Sequence, residues 1–153
     1  YLQIGRAFGD SESESDDIVW LQPSRSVEDL QVRGYCMSKT HLSFYLKANR
    51  IHIFVNALRL IGSPANICFM IGENGKTLIL KPYPKKDFHS HRVSAEVYKG
   101  KRSMEISSLR LCRIMAEMQQ WNTSCSYRVP GVIMPRQQIC VFYLDQAEPI
   151  KPV

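Results

Sequence analysis

The chain has 153 residues, a hydrophobic content of 44% and a net charge of +6. That is enough for one domain with a real core or two small intertwined halves. No apolar run approaches the roughly 20 residues of a membrane-spanning helix, no secretory signal pattern is present, and the first residue is Tyr1, as in a trimmed or partial chain.

Charge is unevenly spread. Asp10, Glu12, Glu14, Asp16 and Asp17 crowd into a Ser-rich stretch, whereas from Ile18 onward there are 19 Lys/Arg against 9 Asp/Glu, a balance of +10. A basic body suits an anionic partner, or simply a solvated surface. The acidic stretch reads as a solvated linker or as a shield for the basic face. The five cysteines, Cys36, Cys68, Cys112, Cys125 and Cys140, are odd in number and include no Cys-x-x-Cys pair. They read as reduced thiols in a cytoplasmic setting, packing as small hydrophobes.

In chain order, residues 1–30 read as a peripheral, partly disordered acidic segment. Within it Ile18-Val19-Trp20-Leu21 has the makings of an edge strand and Ser26 of a helix cap. Val32–Met37 and Leu42–Lys47 read as strands joined by polar Ser38-Lys39-Thr40. Ala48-Asn49 is a turn. Ile51, Ile53 and Val55 alternate with His52 and Phe54, the pattern of a half-buried strand. Asn56 is placed to cap a short helix that Gly62 ends and Pro64 cannot continue. Ile67–Ile71 and Thr77–Lys81 form a hairpin around Gly72-Glu73-Asn74-Gly75.

Lys85–Arg92 reads as a charged linker. Ala95–Lys99 reads as a strand, Ser103–Ile106 as another, and Ser107 or Ser108 as the cap of a helix reaching about Trp121. Leu109, Leu111, Cys112, Met115 and Met118 supply that helix's apolar face. Ser126–Val129 and Gln138–Leu144 close the fold across a Pro- and Gly-rich loop, before an irregular tail.

This order contains a repeat. Lys101 aligns with Arg50, Met104 with Ile53, Ile106 with Val55 and Ser107 with Asn56; Leu109-Arg110-Leu111 then repeats Leu58-Arg59-Leu60. A duplicated supersecondary unit follows. The domain organisation is therefore an N-terminal segment (1–30), a first repeat (31–92) and a second (93–153), the two repeats forming one globular unit.

The first repeat resembles the SpoVT/AbrB family of swapped-hairpin β-barrels, to which MazE-type antitoxins are related. Arg50-Ile51-His52-Ile53-Phe54-Val55 stands where the family has a Gly-Arg-Val-Val-Ile-Pro-like strand. Asn56-Ala57-Leu58-Arg59-Leu60-Ile61-Gly62 stands where it has a Glu-Leu-Arg-Arg-x-Leu-Gly-like helix. Ile67–Pro84 is similar to its closing hairpin. The chain departs from the pattern at Asn49 (glycine in the family), Phe54 (proline), Leu58 (arginine) and Ser43 (arginine). The resemblance spans residues 43–145 and implies a mainly β fold with short helices (α+β). Two β-α-β-β swapped-hairpin repeats would form a pseudo-symmetric barrel, either a pseudo-dimeric monomer or a homodimer.

The resemblance also implies a DNA-binding transcriptional regulator that contacts duplex DNA through Arg50 and Arg59. The repeat adds Lys101 and Arg110, with Lys47, Arg102 and Arg113 nearby; such cations give salt-dependent phosphate contacts and read guanine edges. The alternative is an antitoxin-like protein-interaction module whose termini wrap a partner, with no direct nucleic-acid role. His89-Ser90-His91 has no third ligand at recognisable spacing, so no metal site is expected. No nucleophile motif, paired catalytic carboxylates or phosphate-cradling glycine loop appears, so neither an enzyme nor a cofactor is expected. Tyr35, Phe44, Tyr45, Tyr83, Tyr98 and Tyr127 could stack on bases, but strand aromatics more often pack in cores.

Overall fold

Alternation of branched apolar and polar residues puts one face of each strand indoors, and here the indoor faces meet in one barrel. The computed structural model describes residues 2–4 and 38–151. The elements in chain order are β1 (Leu2–Ile4), β2 (Ser38–Tyr45), β3 (Arg50–Phe54), α1 (Val55–Leu60), β4 (Asn66–Ile71), β5 (Thr77–Pro82), β6 (His91–Arg92), β7 (Ser103–Ser107), α2 (Leu109–Gln119), β8 (Ser126–Met134), β9 (Ile139–Tyr143) and β10 (Glu148–Ile150). The acidic stretch, the Ile18–Leu21 strand, the Ser26 cap, the Val32–Met37 strand and Cys36 fall outside the described residues.

The strands form one antiparallel, nearly closed, barrel-like sheet in the order β1-β4-β5-β9-β8-β2-β3-β7. β6 shares an edge of β4 with β1, and β10 shares an edge of β8 with β9. The interior is filled by Leu42 and Phe44 of β2, Ile51 and Ile53 of β3, Ile67 and Phe69 of β4, Leu78 and Leu80 of β5, and Val129, Cys140 and Phe142 of β8 and β9. Leu58 and Ile61 beside α1 and Leu111 and Met115 of α2 plug the same core.

Several elements differ from the sequence reading. Ser38-Lys39-Thr40 is strand, because β8 runs long enough to pair with it through Gly131–Ile133; backbone pairing needs no apolar side chain. Leu46–Ala48 is a 3₁₀ turn, ended by Asn49 in the left-handed region (φ 53°). Asn56 is not a cap: α1 begins one residue earlier, and the Val55 N–H donates to the Arg102 carbonyl at 2.9 Å. A sheet-edge carbonyl thus replaces the side-chain cap. Ala95–Tyr98 is a 3₁₀ turn capped by Ser94. Pro130 and Gly131 lie inside β8, and the β8–β9 turn is closed by the Gln138 N–H on the Pro135 carbonyl at 3.1 Å. The tail forms β10 instead of running irregularly.

The Gly72–Gly75 turn is present, with Gly75 at φ 71°, as are the stop at Gly62 (φ 105°) and the Ser108 cap. The Ser108 hydroxyl accepts the Leu111 N–H at 3.1 Å. Ser108→Ala is expected to cost about 1 kcal/mol, read as a lower urea midpoint at unchanged slope.

Candidate nucleic-acid interface

β3 and β7, the two strands the sequence repeat matches, lie side by side: Arg50 faces Ser107, His52 faces Glu105 and Ile53 faces Met104. The ladder extends past both strands, with Ser108 N–H on the Asn49 carbonyl at one end and Val55 N–H on Arg102 at the other. These bonds sort the seven basic residues into two sets. Lys47 and Arg50 come to the end where α2 begins and carries Arg110 and Arg113. Arg102 and Lys101 come to the end where α1 begins. Arg59, on the last turn of α1, donates from Nη2 to the Tyr98 carbonyl at 3.2 Å, which ties it to the segment leading to Lys101. All seven are exposed. Arg50 and Lys101 lie six positions apart along the ladder, about 20 Å at strand rise.

The Leu-Arg-Leu repeat does not carry over into equivalent helix positions. Leu58 is fully buried and Leu60 is 38% exposed, whereas Leu109 is 48% exposed and Leu111 fully buried. The first copy ends a helix and the second begins one, so Arg59 and Arg110 leave their helices at different phases. Leu58, in a position where the resembled family has an arginine, is a core residue here.

Sequence reasoning missed most of what surrounds Arg50. Arg50 Nη1 donates to Glu105 Oε2 at 2.9 Å, and Arg50 and Glu105 line a shallow depression with Tyr45 and Ala48. Cross-strand register continues this outer face: Arg128 of β8 opposes Ser43 of β2, which opposes His52 of β3, which opposes Glu105 of β7. His41 and His52 both stand edge-on to Phe54, with ring centroids 4.6 and 5.3 Å away. Partial burial, then the charges of Arg128 and His52, push the His41 pKa down. A polar sheet face carrying Tyr45, Phe54, two histidines and two arginines offers flat rings and cations together. The period-2 pattern of each strand was visible in the sequence, but the register that lines these residues up was not.

The other candidates separate. Phe44 is in the core against Trp121 (5.3 Å), and Tyr127 stacks on Trp121 (4.7 Å, 11°). The Tyr98 hydroxyl donates to the Pro64 carbonyl at 2.6 Å, and burial pushes its pKa up to about 12 against the opposing pull of Arg59. Tyr35 lies outside the described residues, and of the other five aromatics Tyr45 is the one beside Arg50. His89 and His91 turn to different partners. His89 Nδ1 meets Asp87 Oδ1 at 3.1 Å and the Tyr83 hydroxyl at 3.3 Å, while the His91 ring packs on Phe69 at 5.6 Å. Among the described residues no three metal-ligating side chains converge. Burial raises the Cys112 thiol to about 11 and Cys140 to about 12, which keeps both as unreactive thiols at neutral pH. No described helix is long and apolar enough to cross a membrane.

Burial also lowers the His91 pKa. The unfolded chain therefore binds the proton more readily than the fold does, and stability falls as pH drops through about 6.5 toward the lowered value. Melting temperature followed from pH 7.5 to 5 should decline, and His91→Gln should flatten part of that decline.

No protein-family model, curated protein or solved structure matches the chain.

Proposed function

We propose that this chain is a duplex-DNA-binding transcriptional regulator built as a duplicated swapped-hairpin barrel of the SpoVT/AbrB kind. The observation that carries the reading is the pairing of like with like. Ile53 pairs with Met104, its own counterpart in the repeat. When Ile79 is matched to its cross-strand partner Val141, the two hairpins fall into one register: Ile71 opposite Leu78 corresponds to Ile133 opposite Cys140, and Phe69 opposite Leu80 corresponds to Gly131 opposite Phe142.

Each hairpin also lies against strands of the other half, β5 on β9 and β2 on β8. β6 takes on β4 the edge that β2 takes on β8. Such pairing supports the reading of a local twofold through the β3–β7 ladder, which would relate Arg50 to Lys101. Paired cations on a twofold suit a duplex, whose phosphates flank each groove on both sides. The strand arginines and lysines would supply most of the affinity through counterion release. Glu105, bound to Arg50, holds that cation in place and competes with phosphate for it.

Fluorescence anisotropy with a random-sequence duplex across a salt series tests this. Log affinity is expected to fall linearly with log salt, and Arg50→Ala with Lys101→Ala should weaken binding at least tenfold and reduce the slope by about 2. Binding unchanged in the double variant would move the interface elsewhere. No binding even at low salt would leave the basic face a solvated surface and bring the protein-interaction reading forward.

A further inference from the structure

A second depression, separate from the one beside Arg50, lies where the chain enters β4. It encloses about 320 Å³, within the roughly 300–1,000 Å³ of small-molecule sites. Three segments wall it: residues 63–66, the loop from β5 to β6 with the residues that follow it, and the Ala95–Tyr98 turn. Hydrogen bonds fix these segments to one another. The Val93 N–H donates to the Ala65 carbonyl at 2.8 Å, the Tyr83 N–H to the Asn66 carbonyl at 2.9 Å, and the Tyr98 hydroxyl to the Pro64 carbonyl at 2.6 Å. The shape is therefore set before any ligand arrives, which lowers the cost of binding.

The lining is positive. Lys86 and Arg92 both belong to it and are exposed, and neither makes an ion pair among the described residues. No carboxylate is among the described residues of the lining. The two acids nearest in the chain are engaged elsewhere. Asp87 Oδ1 accepts the His89 N–H at 2.8 Å and lies 3.1 Å from His89 Nδ1, while Oδ2 accepts the Tyr83 hydroxyl at 3.2 Å. Glu96 pairs with Lys99 at 3.4 Å. The loop that reads in sequence as a charged linker thus ties down its own carboxylate and leaves two cations on one cavity.

One acceptor in the lining is unmet. Asn66 opposes Arg92 across the β4–β6 pair, which puts both side chains on one sheet face. Asn66 Oδ1 is buried and has no hydrogen-bond partner among the described residues. A buried acceptor without a donor is costly, and an N–H or O–H brought by a ligand removes that cost.

We propose that this pocket binds a small phosphate monoester whose organic part carries a hydroxyl or amino group. A monoester dianion matches the two uncompensated cations. Arg92 presents a planar fork to its oxygens and Lys86 a point charge. The hydroxyl or amino group donates to Asn66 Oδ1, and Val93 and Tyr98 supply apolar lining for the rest of the molecule. Neither Lys86 nor Arg92 is among the seven basic residues of the nucleic-acid surface, so the site stands independently of that reading.

Isothermal titration calorimetry at fixed ionic strength, with ribose 5-phosphate, AMP and methyl phosphate as probes, tests this. Ribose 5-phosphate or AMP should bind at least tenfold more tightly than methyl phosphate, which has no donor for Asn66. Tighter binding of AMP would assign a nucleotide, and AMP no tighter than ribose 5-phosphate a sugar phosphate. Lys86→Gln and Arg92→Gln, both at exposed positions, should each weaken the preferred ester at least tenfold, whereas Lys39→Gln should not. Asn66→Leu should erase the preference over methyl phosphate; if that variant does not fold, the methyl phosphate comparison in the unaltered chain decides the point. Affinity equal for all three probes would overturn the proposal, as the mark of a bare cation pair. Ester binding that survives Lys86→Gln and Arg92→Gln unchanged would do the same. So would the absence of ester binding together with weaker duplex binding in those two variants, which would give both cations to the nucleic-acid surface.

Discussion

Phe44→Ala is expected to lower the unfolding free energy by about 3–5 kcal/mol, the usual range for truncating a fully buried aromatic. Phe44 is fully buried. It sits on β2, which pairs along its length with β8 and at its C-terminal half with β3. Its ring packs against Trp121, which follows the end of α2 and stacks in turn on Tyr127. Truncation therefore opens a cavity where the sheet meets the longer helix, and the rigid strands on either side limit its collapse. Since domains of this size are stable by only about 5–15 kcal/mol, the variant should show a strongly reduced urea midpoint. Trp121 supplies a second readout, its emission shifting as its neighbour is lost. Leu60→Ala, at a side chain 38% exposed, should cost less than about 1 kcal/mol. Comparable costs at the two sites would contradict the packing described.

Gly131→Ala should be nearly as damaging, about 3 kcal/mol, although it adds a single methyl group. A Cβ at this position would press on the Val141 carbonyl oxygen and come within 2.5 Å of Phe142 Cδ1 and 3.0 Å of Phe142 Cα. Two of those three atoms are backbone of the neighbouring strand, and the third belongs to a fully buried ring. None can step aside without moving β9 away from β8. Glycine inside a strand commonly marks such a close approach. Urea denaturation measures the loss, and hydrogen exchange at the Gly131–Phe142 pair should localise it. A variant with unaltered midpoint would mean that β8 and β9 are further apart than described.

Much of the fold was legible because its signals are local. Ile51 and Ile53 alternate with polar partners, and both are buried. Asn74-Gly75 marks a turn whose geometry few other residues accept, and Gly62-Ser63-Pro64 stops a helix by backbone chemistry alone. Where partners decide, the reading failed. Ala95–Tyr98 has the residues of a strand but forms a 3₁₀ turn, its start held by the Ser94 hydroxyl on the Glu96 N–H. Ser38-Lys39-Thr40 lacks strand character and is strand all the same, because β8 extends past it. Leu58-Arg59-Leu60 and Leu109-Arg110-Leu111 are identical in sequence and opposite in burial, since one closes a helix and the other opens one.

The candidate interface divides in the same way. Arg50, Lys101 and their neighbours could be chosen from charge and repeat alone, because their meaning lies in the residue type. Arg128, Ser43, His52 and Glu105 come from four strands spread over most of the chain, and nothing near any of them specifies the others. By itself the sequence determined which residues are basic, which segments are apolar on one face, and where the chain must turn, since each is a property of side chains and backbone over a few residues. The tertiary structure decided which strands are neighbours, in what register, and so which cations, rings and carboxylates share a surface. Those choices depend on backbone edges competing for partners across the whole chain.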